Sequence, residues 1–280
     1  MKQHTIASSC TFEGVGLHSG KAVEMRLLPA PDNYGIVFHR TDLGEEVFVH
    51  PRVENVVKTR RCTEFAEGSA RIRTAEHLLA ALRGLGVDNV LVQLNAAEVP
   101  ILDGSALPYV TAIRRSGLLA QKEDRRYRVV NRHAEFCDPK SGSRIEVDPC
   151  DGLAVDLTID FKSPMVGLQK ASFDGTIDFA TQIAPCRTFC FHREIALLRF
   201  FGLIKGGSLD NALVIDERRK QFMGGKTLQF DNELARHKLL DLLGDFALAG
   251  LPVRGRITAY KPGHAINTKA LQSFIADSVL

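Results

Sequence analysis

The chain has 280 residues, 45% of them hydrophobic and 25% charged. That is too long for most single cores, suits two domains of ordinary size, and excludes a disordered chain. Lys and Arg number 36 against 33 Asp and Glu, a net charge of +3 that leaves no electrostatic footprint for nucleic acid. Six cysteines (Cys10, Cys62, Cys137, Cys150, Cys186 and Cys190) form no C-x-x-C pair. Neither a disulfide framework nor a cysteine-based zinc site is indicated, and reduced thiols in a cytoplasm are expected. The N-terminal MKQHTIASSC lacks the apolar core of a signal peptide, and no apolar run approaches the ~20 residues of a membrane helix. A soluble cytoplasmic protein is expected, with peripheral membrane proximity left open.

In chain order, AVEMRLL (22–28) and GIVFH (35–39) flank the turn-rich PAPDNYG and read as a hairpin-like pair. TAEHLLAALRGLG follows as a helix, with Thr74 as N-cap, Glu76 in the positive first turn, and Gly84 or Gly86 at its end. NVLVQLN (89–95) reads as a strand, and DGSALPYVTAIRRSG as a turn and a second helix capped by Ser105. The polar QKEDRRYR (121–128) marks a domain boundary, giving units 1–122 and 123–280. Beyond it the pattern restarts: two strands in SRIEVDPCDGLAVDLTIDF, a helix in LARHKLLDLLGDFALAG, a strand in VRGRITAY and a closing helix in NTKALQSFIADSV. Both halves read strand, strand, helix, strand, helix, and AEHLLAAL aligns with ARHKLLDLL so that His77 stands opposite His237. The pattern suggests an α+β fold of two similar layered units with a site at their junction. Chance similarity of short Leu/Ala-rich helices is the competing explanation. The segment RTFCFHREIALLRFFGLIKGGSLDNALVI (187–215) is an extra strand, helix, Gly-rich turn and strand in the second half. It is unusually apolar for an insertion, so it is either a locally packed subdomain or a passage for a lipid chain.

The helix LARHKLLDLLGD carries His237, Lys238, Asp241 and Asp245 among five leucines. With His237 at zero and about 100° per residue, Asp241 falls near ~40°, Asp245 near ~80° and Lys238 near ~100°. Leu239, Leu240, Leu242 and Leu243 cover roughly 140–300°, as in an ordinary amphipathic helix with a wet face. Leu234 and Leu248, however, close the polar stripe at both ends. His237 and Asp241, four apart, lie one above the other and can share a metal.

A catalytic zinc needs a third protein ligand from elsewhere. Glu76-His77 offers a histidine with an adjacent carboxylate that projects toward a metal's water. The plainer reading is a dipole-complementing Glu beside a satisfied His. His264 lies in YKPGHAIN, read as an exposed Pro-Gly turn; beside a metal it becomes a candidate general acid oriented by Asp245. His18 in GVGLHSG is a further candidate. Its glycine spacing, G-x-G-x-x-x-G before a strand, is no dinucleotide fingerprint.

Seven blocks in order, FEGVGLHSGK, TAEHLLAAL, VPILDGSA, RTFCF, GGSLDNA, RHKLLDLLGD and AYKPGHAINTK, give the chain a resemblance to one family. It resembles the UDP-3-O-acyl-N-acetylglucosamine deacetylases, zinc enzymes of lipid A biosynthesis in Gram-negative bacteria. The resemblance implies one catalytic Zn2+ on His77, His237 and Asp241. It implies Glu76 as general base, His264 as acid with Asp245 as its partner, and Thr188 and Lys238 beside the forming oxyanion. His18, Phe189, Ile195, Gly207, Ser208 and Lys238 would contact substrate, with 187–215 as the acyl passage. The implied fold has helices sandwiched between sheets, each half carrying a small insertion, and the implied partner is a small acylated UDP-sugar bound by a monomer. Arg60 and Arg61 depart from the family's pattern, as do Ile204 and Leu209 in the passage. Another zinc amidohydrolase and a catalytically dead scaffold are the rival readings, and the presence of every expected ligand and of Glu76 weighs against the scaffold.

Overall fold

A computed structural model describes residues 1–280. The first half runs β1 (Lys2–Ile6), β2 (Cys10–Val15), β3 (Ala22–Pro29), β4 (Ile36–Arg40), β5 (Phe48–Val49), β6 (Val56–Lys58), β7 (Glu64–Glu67), β8 (Ala70–Arg73), α1 (Glu76–Gly84), β9 (Val90–Leu94), α2 (Leu107–Ser116) and β10 (Leu118–Asp124). The second runs β11 (Arg128–Val129), β12 (Ala134–Asp138), β13 (Ser143–Asp148), β14 (Leu153–Asp160), β15 (Leu168–Phe173), α3 (Phe179–Gln182), β16 (Phe189–Phe191), α4 (His192–Phe200), β17 (Leu213–Asp216), β18 (Gln221–Phe222), α5 (Glu233–Phe246), β19 (Val253–Tyr260) and α6 (His264–Ala276).

The two main sheets have one topology. The first is ordered β2-β3-β9-β4-β5 and the second β12-β13-β19-β14-β15, with β11 added beside β19. In each, the third strand is antiparallel to the second and parallel to the fourth. The hairpin-like pair expected of residues 22–39 is therefore absent: β9 lies between β3 and β4, with Leu27, Val92 and Phe38 in register. The second unit repeats this, with Ile257 between Val147 and Val155. A turn-rich connection reverses the chain without obliging its flanks to pair. The central slot goes to a later strand whose alternate residues face the core, Val90, Val92 and Leu94 in β9 and Val253, Gly255, Ile257 and Ala259 in β19.

Helices α1 and α5 pack on each other, and α5 also packs on β14 and β15, so the helices lie between the sheets. One continuous apolar core joins both units. Gly244 is where the two helices meet most closely: a Cβ there would overlap the carbonyl of Glu76. Each half also carries a small extra sheet, β6-β7-β8 in the first and β16-β17-β18 with α4 in the second. The segment 187–215 forms the expected strand, helix, Gly-rich turn and strand. Residues 118–124, partly assigned to the linker, form β10 and pair with β1. No helix is long and apolar enough to cross a membrane.

Candidate active site

Helix α5 is not half wet. His237, Asp241 and Asp245 are 1%, 3% and 1% exposed, and of the polar stripe only Lys238 and Asp241 reach a cavity. The stripe that the helical wheel leaves polar is covered by α1, which presents Glu76 and His77, both also buried.

His77, His237 and Asp241 offer donor atoms within 4.8 Å of one another. Asp241 Oδ1 lies 3.6 Å from His77 Nε2 and 3.4 Å from His237 Nε2. His237 Nδ1 is 3.0 Å from the carbonyl of Cys186, which only accepts. Nδ1 therefore carries the hydrogen and Nε2 turns its lone pair to the cluster, the arrangement that fixes a metal-binding imidazole. Burial pushes the His237 pKa down to about 3, so the ring is neutral and free to ligate. Burial opposes ionisation of Asp241, but Lys238, whose Nζ lies 2.7 Å from Oδ2, together with His237, His77 and His264 outweighs it and holds the carboxyl well below the usual range. Two imidazoles and one carboxylate, with no fourth side chain, suit a divalent ion that keeps an open position.

Glu76 and His264 flank this cluster. Glu76 Oε1 lies 3.6 Å from His264 Nε2, and Oε2 is buried with no partner. Burial raises the Glu76 pKa. His264 is buried too, and it is not in a loop as read from the Pro-Gly pair: it opens α6. The turn ends at Gly263, one residue before the helix. Its Nδ1–H donates to Asp245 Oδ2 at 2.9 Å, and Asp245 also accepts from Asn267 Nδ2 at 2.8 Å and Thr63 Oγ1 at 2.6 Å. Burial alone would lower the His264 pKa, but the Asp245 and Glu76 carboxylates raise it to about 10, so the ring is an imidazolium at neutral pH.

Two cavities meet here. One, of about 390 Å3, holds Glu76, His77, Lys238, Asp241 and His264 among mostly polar neighbours that include Lys261 and Ser141. The second, of about 360 Å3, lies within the insertion and is mainly apolar; His18, Ile195, Gly207 and Ser208 line it. Thr188, Phe189, Leu17 and Arg61 border both. Lys238 Nζ sits 5.6 Å from the centre of the Phe189 ring, at the junction. Every residue that the resemblance assigns to the site thus falls in one of two adjoining spaces or directly beneath them.

The turn bearing His18 docks on the insertion, where Gly206 N–H donates to the Leu17 carbonyl at 3.0 Å. His18 Nδ1 accepts from Ile204 N–H at 3.4 Å, so Nε2 carries the hydrogen, and that atom is buried without a partner. Ile204 makes this contact from the left-handed region, at φ 51°. Such a conformation is strained for a β-branched residue and costs about 1–3 kcal/mol. Arg61 is tied to Glu194 of α4 through both its Nη atoms, at 3.0 and 3.3 Å, while Arg60 stacks on Phe201. Neither is a free cation in the polar cavity.

Sequence reasoning missed Thr63, Asn267, the Cys186 carbonyl and Glu98. Glu98 is buried and accepts from His18 N–H (2.7 Å), Ser19 N–H (2.8 Å) and Thr74 Oγ1 (3.0 Å). It thereby joins the His18 turn to the entry of α1. This also corrects the N-cap expected at Thr74: its hydroxyl serves Glu98, its φ is 55°, and α1 starts after Ala75 with no side-chain cap. Ser105 accepts from Leu107 N–H at 3.1 Å, but it stands one residue before the N-cap of α2, which is Ala106 and makes no side-chain cap bond. Asn267 had one usable signal, its place one helical turn after His264; Thr63 had none.

A buried His–His–Asp donor set between two α+β units, flanked by a carboxylate and an imidazolium, defines a metalloenzyme of mixed α/β architecture. A family model described as LpxC: UDP-3-O-acyl N-acetylglycosamine deacetylase matches residues 3–276. A protein of Anaeromyxobacter sp. (strain Fw109-5), named UDP-3-O-acyl-N-acetylglucosamine deacetylase, is 46% identical over 278 residues, 98% of this chain and 89% of the relative. One of the same name from Thioalkalivibrio sulfidiphilus (strain HL-EbGR7) is 39% identical over 279 residues, 99% of this chain and 90% of the relative. A bifunctional enzyme LpxC/FabZ of Porphyromonas gingivalis (strain ATCC BAA-308 / W83) is 43% identical over 290 residues, 96% of this chain but 63% of that longer protein. The chain belongs to the LpxC family.

Proposed function

We infer that this chain hydrolyses the N-acetyl group of a UDP-3-O-acyl-N-acetylglucosamine, releasing acetate and a free amine in lipid A biosynthesis, with zinc as its metal. The observation that carries this reading is the meeting of a His–His–Asp donor set and a Glu76–His264 pair with a mainly apolar cavity of about 360 Å3. His77, His237 and Asp241 would hold the zinc ion, which when bound would supply Lewis acidity for the acetamide carbonyl and for a water whose pKa it would lower toward about 7.

The side chains divide the remaining work. Glu76 takes the attacking water's proton at its unpartnered Oε2, and its raised pKa makes it a stronger base than a solvated carboxylate. His264 enters the reaction charged, held at Nδ1 by Asp245, and gives its Nε2 proton to the departing nitrogen, which is a poor leaving group unless protonated. Lys238 and Thr188, at the junction of the cavities, stabilise charge growing on the carbonyl oxygen. Phe189, Ile195, Gly207 and Ser208 receive the acyl chain, and His18 offers its unpartnered Nε2–H to an oxygen at the chain's head. Lys238 and Lys261 give the polar cavity the positive charge that a diphosphate needs. The enzyme acts in the cytoplasm as a monomer.

Acetate release from the acylated UDP-sugar, measured with and without a chelator, tests the reading. We expect activity that a chelator abolishes and zinc restores, and a KM that rises as the acyl chain is shortened. Equal turnover of an acetylated sugar lacking the acyl chain would remove the basis for assigning the passage.

A further inference from the structure

Helix α4 forms one wall of the apolar cavity through Ile195 and Leu198. Its other face is turned to solvent. Leu197, Phe200 and Phe201, at i, i+3 and i+4 spacing, are 57%, 82% and 52% exposed, and no other aromatic side chain is as exposed as these two. The two rings lie 5.4 Å apart, edge to face. Around them stand Arg60, over the Phe201 ring, together with Arg199 and Lys205; all three are exposed and none pairs with a carboxylate. The acids of this insertion are occupied: Glu194 by Arg61, Asp210 by Lys226, Asp216 by Arg219 and Glu217 by Arg193. Residues 192–226 hold seven Lys and Arg against four Asp and Glu, so the insertion alone accounts for a surplus as large as that of the whole chain.

We propose that the tip of α4 is an interfacial docking surface for an anionic phospholipid bilayer. A second copy of the chain is the poorer occupant. A two-fold contact through this patch would bring Arg60, Arg199 and Lys205 of each copy against the same cations of the other, with no acid among them. An anionic lipid surface supplies the missing charge and takes the two phenyl rings and the leucine into its interfacial layer. The helix is short, nine residues, and carries only three exposed apolar side chains, so docking is weak and reversible. Because the cavity lies on the inner face of the same helix, docking holds its mouth beside the lipid, where acylated substrates concentrate.

Co-sedimentation of the full chain with phosphatidylcholine vesicles, with and without phosphatidylglycerol, reads this directly. The assay needs no substrate, so its result is separate from the deacetylase reading. We expect partition onto the anionic vesicles at least tenfold above that onto neutral ones, from about 1 kcal/mol per basic side chain near the surface, and its loss at high salt. Phe200→Ser should lower the partition about tenfold while leaving turnover of dissolved substrate unchanged, since Phe200 lines neither cavity. Equal partition onto both vesicle types, no partition at all, or an unaltered Phe200→Ser protein would overturn the proposal. So would sedimentation velocity showing a wild-type dimer that Phe200→Ser converts to a monomer, because a second copy would then cover the face.

Discussion

Replacing Asp245 by Asn removes one charge and little else. The Asn carbonyl can still accept from His264 Nδ1–H, and its amide can donate to Thr63. What is lost is the carboxylate 2.9 Å from the imidazolium. At an effective dielectric near 20, two unit charges that close attract by roughly 5–6 kcal/mol, or about four pKa units. That is enough to account for an imidazole raised from 6.5 to about 10 against its own burial. Glu76, 3.6 Å away, retains part of the effect. The basic limb of the kcat/KM profile should therefore fall by at least about two pH units in the variant. Activity at pH ~9–10 should drop about ten- to a hundredfold and recover toward pH ~6. Stability moves in the same sense. A pKa raised in the folded state contributes stability that is fully present below 6.5 and is lost as pH rises through about 10. The melting-temperature gap between wild type and variant should accordingly be widest in mild acid and close in alkali. A rate that falls equally at all pH values, with the basic limb unmoved, would show that His264 is not the acid titrated on that limb.

Three further outcomes follow from the same geometry. Glu76→Gln should keep its metal and lose about 10²–10⁴ in kcat, with the acidic limb abolished; a variant that retains that limb assigns the base elsewhere. His237→Ala should lower bound zinc, measured by atomic emission on purified protein, well below the wild-type stoichiometry, because Asp241 is left with one imidazole; equal zinc in both proteins refutes the ligand. Gly244→Ala places a methyl in the carbonyl of Glu76 and must part α1 from α5; overpacking of this kind costs about 1–3 kcal/mol, and an ångström of displacement at Glu76 costs about a hundredfold in rate. An unaltered melting temperature and rate would mean that the helices do not cross there.

Local patterns made most elements legible. Alternation in AVEMRLL and NVLVQLN, and the periodicity of α1, α2 and α5, each report a chain sampling its own neighbourhood. What they could not report was pairing, which depends on residues distant in sequence: β9 and β19 take the central slots that a hairpin would have closed. The same limit explains the site. His237 and Asp241 are visible because one helix spaces them, and Glu76-His77 because they adjoin. Thr63 and Glu98 act across long stretches of chain and look like any threonine or glutamate until the fold brings them in. Thr74 has the residue type of a cap, but a competing acceptor, Glu98, claims its hydroxyl. His264 was misplaced because a Pro-Gly pair is strong turn chemistry, and here the turn merely sets the start of α6.

The repeated topology explains why the donors lie where they do and also why repetition alone does not make a site. His77 and His237 occupy matching places in α1 and α5, and their rings meet with centroids 5.1 Å apart at 81° across the seam between the units. A metal shared by two similar halves has to sit at that seam, one imidazole from each. The catalytic asymmetry comes from positions where the halves diverge. In the aligned helices Arg236 stands opposite Glu76, so only the first half offers a carboxylate there. Ala81 stands opposite Asp241 and Leu85 opposite Asp245, so only the second half supplies the anionic donor and the carboxylate that charges His264. An equal pair of histidines holds an ion without favouring either side of it. In the mechanism we propose, the unequal neighbours have a proton taken by Glu76 and delivered by His264, each from its own unit, with the reacting bond held between them.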